Sequence, residues 1–280
     1  MQIGISTNIL DNPREVFASI ERLSSDFRAI EIEIAEEAQD FLFGEDATAI
    51  AKETLKLKEF LSSSKVHFSV HAAWFGRDTD LASAFPEERE NSISLLRRSI
   101  SFAREIGVTQ VTFHPGYAKK QSIESQIANL KESLRQIIPE ATQLGITLTM
   151  ENMGADRPAF CIFTPDQMVE ICSQTGMRLT LDVVHLASLI PHESSTFDEA
   201  LVKLIPYTDE LHIADMKGRC HRHLPIGIGD FPLMRIMKRI ENLGFEGAAI
   251  VEEFVKEYTP EEYIERARNF KAQFDARHLS

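Results

Sequence analysis

Residues 145–152 read GITLTMEN, and much of the chain repeats this design. Gly145 follows an amphipathic stretch, where a helix needs a residue tolerant of the left-handed conformation. TLTME (147–151) is then a short run of β-branched and apolar residues that stops on Glu151. Such a run suits a parallel strand buried on both faces. The unit recurs in HFSVH (67–71), ending on His71, and QVTFH (110–114), ending on His114. RLTLD (178–182) ends on Asp182, ELHIA (210–214) contains His212, and AAIVE (248–252) ends on Glu252. QIGIST (2–7) and AIEIEI (29–34) bring the strand candidates to eight.

The segments between them have helical spacing. Residues 87–106 place Ile93, Leu95, Leu96, Ile100 and Ala103 on one stripe, and residues 122–144 do the same with Ile127, Leu130, Leu134, Ile137 and Ile138. Thr164-Pro165 opens a helix over 165–175, and Gly176 and Gly244, like Gly145, fall between helix and strand. Eight βα units in 280 residues predict a (β/α)8 TIM barrel, a fold of about 250 residues, as one domain over 1–280. A doubly wound sheet would place a Gly-rich phosphate loop after the first strand, and none is there.

In such a barrel the carboxyl ends of all strands meet at one mouth, where active sites form. Six strands therefore deliver a carboxylate or an imidazole to one place. Glu151, Asp182, His212 and Glu252 form the central set; three carboxylates and one imidazole leave positions open for two substrate oxygens. The mixture suits Zn²⁺, Mn²⁺, Fe²⁺ or Co²⁺ better than Ca²⁺. A divalent cation there polarises a carbonyl and acidifies the neighbouring C–H, and a carboxylate can move the proton. His71, His114 and His185 widen the set. So does the H-x-H pair His221 and His223 in GRCHRHLPIGIGDF (218–231), which reads as a loop. The total allows one to three ions, or some of these histidines bind substrate hydroxyls or phosphate instead.

Further residues can shape a substrate pocket. Asn152, Arg157, Lys217 and Arg222 can orient oxygens or an anion. Trp74 and Phe75 can form an apolar wall against a sugar ring. In AIEIEI the isoleucines must face the helices, so Glu31 and Glu33 point inward, with Glu33 nearer the mouth. Inward carboxylates need pairing, hydration or a cation. A buried ion pair is the structural role open to both, and substrate contact a further role for Glu33.

Composition bounds the partners. A formal charge of −13 disfavours nucleic acid, which needs Lys and Arg on the binding face. Three cysteines without C-x-x-C spacing point to a reducing compartment, and neither a signal peptide nor an 18-residue apolar run is seen, so a cytoplasmic protein without membrane contact is expected. A homo-oligomer formed through the mouth or the helices is compatible with this surface.

The motifs SVHAAW, DLAS (80–83), VTFHPG, TMEN, LDVVH, LHIADMKG, HRHLPIGIGDF and IVEEF resemble the xylose isomerase-like TIM-barrel superfamily over nearly the whole chain. That superfamily holds sugar and sugar-phosphate isomerases and epimerases, and also the endonuclease IV class of abasic-site nucleases. Resemblance to the ketose 3-epimerases implies one divalent metal on Glu151, Asp182, His212 and Glu252. It also implies Glu151 and Glu252 as the catalytic proton-transferring pair, with His185 contacting substrate. Resemblance to endonuclease IV implies a trinuclear zinc site on His71, His114, Glu151, Asp182, His185, His212, His223 and Glu252. There the chain departs at His221, where the nuclease pattern has aspartate.

The loop after the second strand, AEEAQDFLFGEDA (35–47), carries five acidic residues and no Lys or Arg. Such a loop repels phosphates. The expectation is therefore a metal-dependent isomerase or epimerase of a sugar, sugar phosphate or related polyhydroxy compound, working through an enediolate. Zinc-dependent phosphodiester cleavage is the alternative. A metal-holding module without chemistry is a third reading, against which the two retained proton-transfer candidates speak.

Overall fold

Eight strands close into a parallel barrel: β1 Gln2–Ser6, β2 Ala29–Glu33, β3 His67–His71, β4 Gln110–Phe113, β5 Thr147–Glu151, β6 Arg178–Asp182, β7 Thr208–Ile213 and β10 Ala248–Val251. Round the ring they run β1-β10-β7-β6-β5-β4-β3-β2. The computed structural model describes residues 1–9, 13–34, 47–72, 79–155, 159–218, 220–252 and 257–277, excluding the side chains of 9, 13–18, 47–53 and 220–222. The expected barrel is therefore present, with strand ends within two residues of those read from the sequence. His114 and Glu252 stand one residue beyond β4 and β10, in the mouth itself.

Strand alternation explains the core. Ile30 and Ile32 of β2, Leu179 and Leu181 of β6, and Leu211 and Ile213 of β7 are buried. Facing the surrounding helices, each such side chain contributes about 1.5–3 kcal/mol. The inward positions are unusual for this fold, whose interior is ordinarily filled by branched apolar side chains. Here Glu31, Ser69, Thr112, Thr149, Thr180 and Glu210 are all wholly buried. The threonines satisfy one another: Thr112 Oγ1 is 3.1 Å from Thr149 Oγ1 and 2.9 Å from Thr180 Oγ1. Both glutamates of AIEIEI are buried, as their alternation demands.

Gly4 explains how the ring closes. A Cβ at this position would lie 2.5 Å from the Ala29 carbonyl oxygen and 2.7 Å from both Ala29 Cβ and Ile250 Cδ1. Only glycine lets β1 fit between β2 and β10.

The helix punctuation follows the sequence. Thr164 caps the helix Pro165–Thr175 in a capping box with Gln167, and the helix ends on Gly176 at φ 77°. Helices Pro86–Ile106 and Ile123–Gln143 lie where the periodicity predicts. Residues 218–231 differ from the expected loop: β8 Asp215–Lys217 and β9 Cys220–Leu224 pair as an antiparallel hairpin. HRH offers no apolar alternation, so the strand left no periodic signal. Among the described residues no helix is long and apolar enough to cross a membrane.

Candidate metal centre

Glu151 stands at the end of β5 with imidazoles on all sides. Its Oε2 lies 3.2 Å from His71 Nε2 and 2.8 Å from His114 Nε2. Its Oε1 lies 3.1 Å from His185 Nδ1 and 3.6 Å from His212 Nδ1. Asp182, at the end of β6, uses Oδ1 to cap the helix Val183–Leu189 by accepting from the His185 amide at 2.6 Å. That leaves Oδ2 facing His185 Nδ1 and His223 Nε2, each at 3.7 Å.

Among the described residues five groups of ligand-type atoms result, each with all its atoms within 4.8 Å of one another: Glu31, Glu210 and His212; Glu31, Glu33 and Glu252; and, contiguous across the mouth, Glu151, Asp182, His212 and Glu252; His71, His114 and Glu151; and Asp182, His185 and His223. Glu151 and Asp182 join the last three groups. The four residues of the central set, distant in sequence, therefore do gather in space.

The outer nitrogens of four imidazoles are tied to atoms that only accept. His71 Nδ1 donates to the Ala72 carbonyl at 3.0 Å, His185 Nδ1 to the Asn152 carbonyl at 2.6 Å, and His223 Nδ1 to the Glu252 carbonyl at 3.0 Å. His212 Nε2 donates to the Glu31 carboxylate at 3.1 Å. His71 Nε2 and His212 Nδ1 then face Glu151, and His185 Nδ1 also lies 3.1 Å from Glu151 Oε1. His185 Nε2 and His223 Nε2 meet at 3.3 Å. His212 Nδ1 and Glu252 Oε2 lie 2.9 Å apart, yet neither has an aligned hydrogen bond. Asp182 Oδ2 is likewise a wholly buried oxygen with no hydrogen-bond partner. A lone pair pointed at a carboxylate or at a second lone pair needs a proton or a metal cation between them. Orientation of ligating histidines by acceptors behind them is the usual architecture of a metal site. The residues present fit a divalent cation.

The electrostatics agree. Burial lowers the His71 pKa, but its hydrogen bond to Glu151 and the charges of Glu31 and Glu33 outweigh this and bring it to about 10. Burial likewise works against His185, yet Asp182, Glu151 and Glu252 lift it to about 9. Burial pushes Asp182 up to about 7, helped by Glu151 and Glu252. Burial would raise Glu151, but His114 and His212 hold it well below the carboxylate range. The centre thus draws positive charge inward, as protons on imidazoles or as a cation that displaces them.

The remaining candidates fall elsewhere. Asn152, a candidate to orient substrate, engages the backbone of Asp182: its Oδ1 accepts from the Asp182 amide at 2.7 Å and its Nδ2 donates to the Asp182 carbonyl at 3.0 Å. Its amide thus staples β5 to β6. Lys217 is exposed on β8. Glu33 is buried, accepts from Ser6 Oγ at 3.4 Å, and lies in a group with Glu31 and Glu252. Trp74, Phe75, Arg157 and the acidic loop 35–46 lie outside the described residues, as do the side chains of His221 and Arg222. His223 itself sits at φ 44°, a left-handed backbone position within β9. The aromatic wall that is described comes from Tyr117 and Phe160, stacked at 4.7 Å, with His114 edge-on to Phe160 at 5.5 Å.

Two acidic residues escaped the sequence reading. Glu210 is buried, and burial beside Glu31 pushes it up to about 8. Its position two before His212 in the same strand was the available signal, because residues i and i+2 share a face. Asp215 accepts from the amides of Met216, Gly227, Gly229 and Phe231 at 2.8, 2.9, 3.0 and 3.1 Å. It fixes the PIGIGDF segment that follows His223, and no periodicity marks such a residue.

A closed parallel barrel with this mouth matches the sequence model described as xylose isomerase-like TIM barrel over residues 22–273. The chain belongs to that family. Its relatives include a fructoselysine 3-epimerase of Shigella flexneri, 25% identical over 185 residues, covering 59% of each chain. A probable endonuclease 4 of Aquifex aeolicus is 34% identical over 102 residues, 36% of this chain and 34% of that one. Among solved structures, a D-tagatose 3-epimerase-like protein superposes with a TM-score of 0.78 at 22% identity, covering 100% of both chains. The IOLI protein with a binding zinc atom superposes with a TM-score of 0.73 at 17% identity over 98% of both chains.

Proposed function

We propose that this protein is a divalent-metal-dependent isomerase or epimerase of a sugar, sugar phosphate or related small polyhydroxy compound. The observation that carries the reading is the convergence of Glu151, Asp182, His212 and Glu252, with Asp182 Oδ2, His212 Nδ1 and Glu252 Oε2 buried and unpartnered. These four residues would hold the ion, which in such a setting supplies Lewis acidity toward a substrate carbonyl. Zn²⁺, Mn²⁺, Co²⁺ and Fe²⁺ all suit the donor set. Glu151 and Glu252 are the acid–base pair: one removes the proton from the carbon next to the carbonyl and the other returns a proton to the adjacent or opposite position. Asn152 keeps Asp182 in register, and the Tyr117–Phe160 wall offers an apolar face to the carbon skeleton. The epimerase relative and the epimerase-like structural neighbour support this reaction class.

Phosphodiester cleavage is the second reading, favoured by one observation. Glu151 and Asp182 bridge the central set to His71–His114 and to His185–His223, so donors for up to three ions are contiguous. The endonuclease 4 relative points the same way. The acidic character of residues 35–47 weighs against a duplex substrate.

One experiment separates the readings. Native protein is analysed for bound metal, then tested with ketoses, aldoses and their phosphates in D₂O. Carbon-bound deuterium in product with one ion per chain supports the isomerase. Three zinc ions with incision of an abasic-site duplex, lost in His114→Ala, would replace it with the nuclease.

A further inference from the structure

Of the four imidazoles whose outer nitrogens are tied, three are held by backbone carbonyls, those of Ala72, Asn152 and Glu252. His212 is the exception, held by a side chain. Its Nε2 lies 3.1 Å from Glu31 Oε2, across 181 residues of sequence, and both residues are wholly buried. Glu31 rises from β2, three strands round the ring from β7. Ile30 and Ile32 on either side are buried outward, so the strand alternation points Glu31 into the barrel. No aligned hydrogen bond engages His212 Nδ1.

We propose that Glu31 is the positioning residue of the metal centre: by taking the Nε2 hydrogen of His212 it fixes the ring and its tautomer and presents Nδ1 to the ion. This rests on the metal-centre reading above. A carboxylate accepts and cannot donate, so neutral His212 carries its hydrogen on Nε2 whenever that bond is made. The charge behind the ring also makes Nδ1 a more basic ligand than a backbone carbonyl would. His71, His185 and His223 need no such partner, because each lies beside a backbone carbonyl just past a strand end, that of Ala72, Asn152 or Glu252. His212 lies within β7, where the backbone carbonyls are engaged in the barrel ladder, so its acceptor has to come from across the interior. This gives a reason for a buried glutamate in AIEIEI beyond a simple ion pair.

The test uses Zn²⁺ as probe. In Zn²⁺-loaded wild type, ¹⁵N-resolved histidine spectra should report a protonated Nε2 and a metal-bound Nδ1 for His212. Glu31→Ala should lower Zn²⁺ affinity about ten- to a hundredfold, and Glu31→Gln, whose amide oxygen still accepts, should lower it less. An unprotonated Nε2 in the wild type would overturn the proposal without any variant. So would a folded Glu31→Ala protein that binds Zn²⁺ within about twofold of wild type while His212→Ala loses it. A wild type that binds no Zn²⁺, Mn²⁺ or Co²⁺ would remove the metal-centre reading, and this inference with it.

Discussion

Replacing Asp215 with alanine should unseat the segment after His223 and cost about 3–5 kcal/mol. The carboxylate is 4% exposed and accepts four backbone N–H bonds. A hydrogen bond to a charged group is worth about 1.5–3 kcal/mol, and a buried donor left alone costs about 1–3 kcal/mol. Gly227 is exposed and water can replace its partner, whereas Met216 and Phe231 are buried and Gly229 is half-buried. Two to three uncompensated donors give the stated range. In domains of about 150–250 residues each kcal/mol moves Tm by about 2–4 °C, so a fall of about 10 °C is expected. Gly229→Ala should do similar damage, since its Cβ would lie 2.1 Å from the Met216 carbonyl oxygen and 2.4 Å from Asp215 Oδ1. Asp215→Asn, which keeps one accepting oxygen, should fall between. Calorimetry gives Tm, and hydrogen exchange over residues 227–231 reports whether the loss is local. If Asp215→Ala melts within about 2 °C of wild type and leaves exchange in that segment unchanged, the clamp does not contribute as argued.

Further outcomes follow from the site and the core. Chelator-stripped protein given Zn²⁺ or Mn²⁺ at a hundred times Kd should gain about 2.7 kcal/mol, a rise in Tm of about 5–10 °C by scanning fluorimetry. Asp182→Asn combined with Glu252→Gln should abolish that rise. Glu151→Gln and Glu252→Gln should each slow deuterium incorporation about 10²–10⁴-fold, and unchanged exchange in either would remove that residue from proton transfer. Burial pushes the Cys172 thiol up to about 12 and the Cys161 thiol higher still. Iodoacetamide at about pH 8 should therefore leave both unlabelled in the native protein and label both in denaturant; stoichiometric native labelling, read by peptide mass spectrometry, would contradict their burial.

What the chain spelled out by itself was periodicity and punctuation. Parallel strands of a barrel are buried on both faces, so TLTME, RLTLD and their counterparts stand out as apolar runs, and Thr164-Pro165 and Gly176 mark their helix by local backbone chemistry alone. Strand ends also converge by topology, so Glu151, Asp182, His212 and Glu252 could be grouped before any distance was known. Alternation likewise turned Glu31 and Glu33 inward. The partners of these side chains were a different matter. That Glu31 meets His212, that Asn152 staples Asp182, and that Asp215 gathers four amides depend on distances between segments far apart in sequence, which residue spacing does not encode. The β8–β9 hairpin escaped because HRH lacks alternation; Glu210 shares a strand face with His212, but its neighbour Glu31 comes from another strand. Only closure of the ring, which brings eight strands within reach of one another, decided which nitrogen of each imidazole looks outward to an acceptor and which looks in.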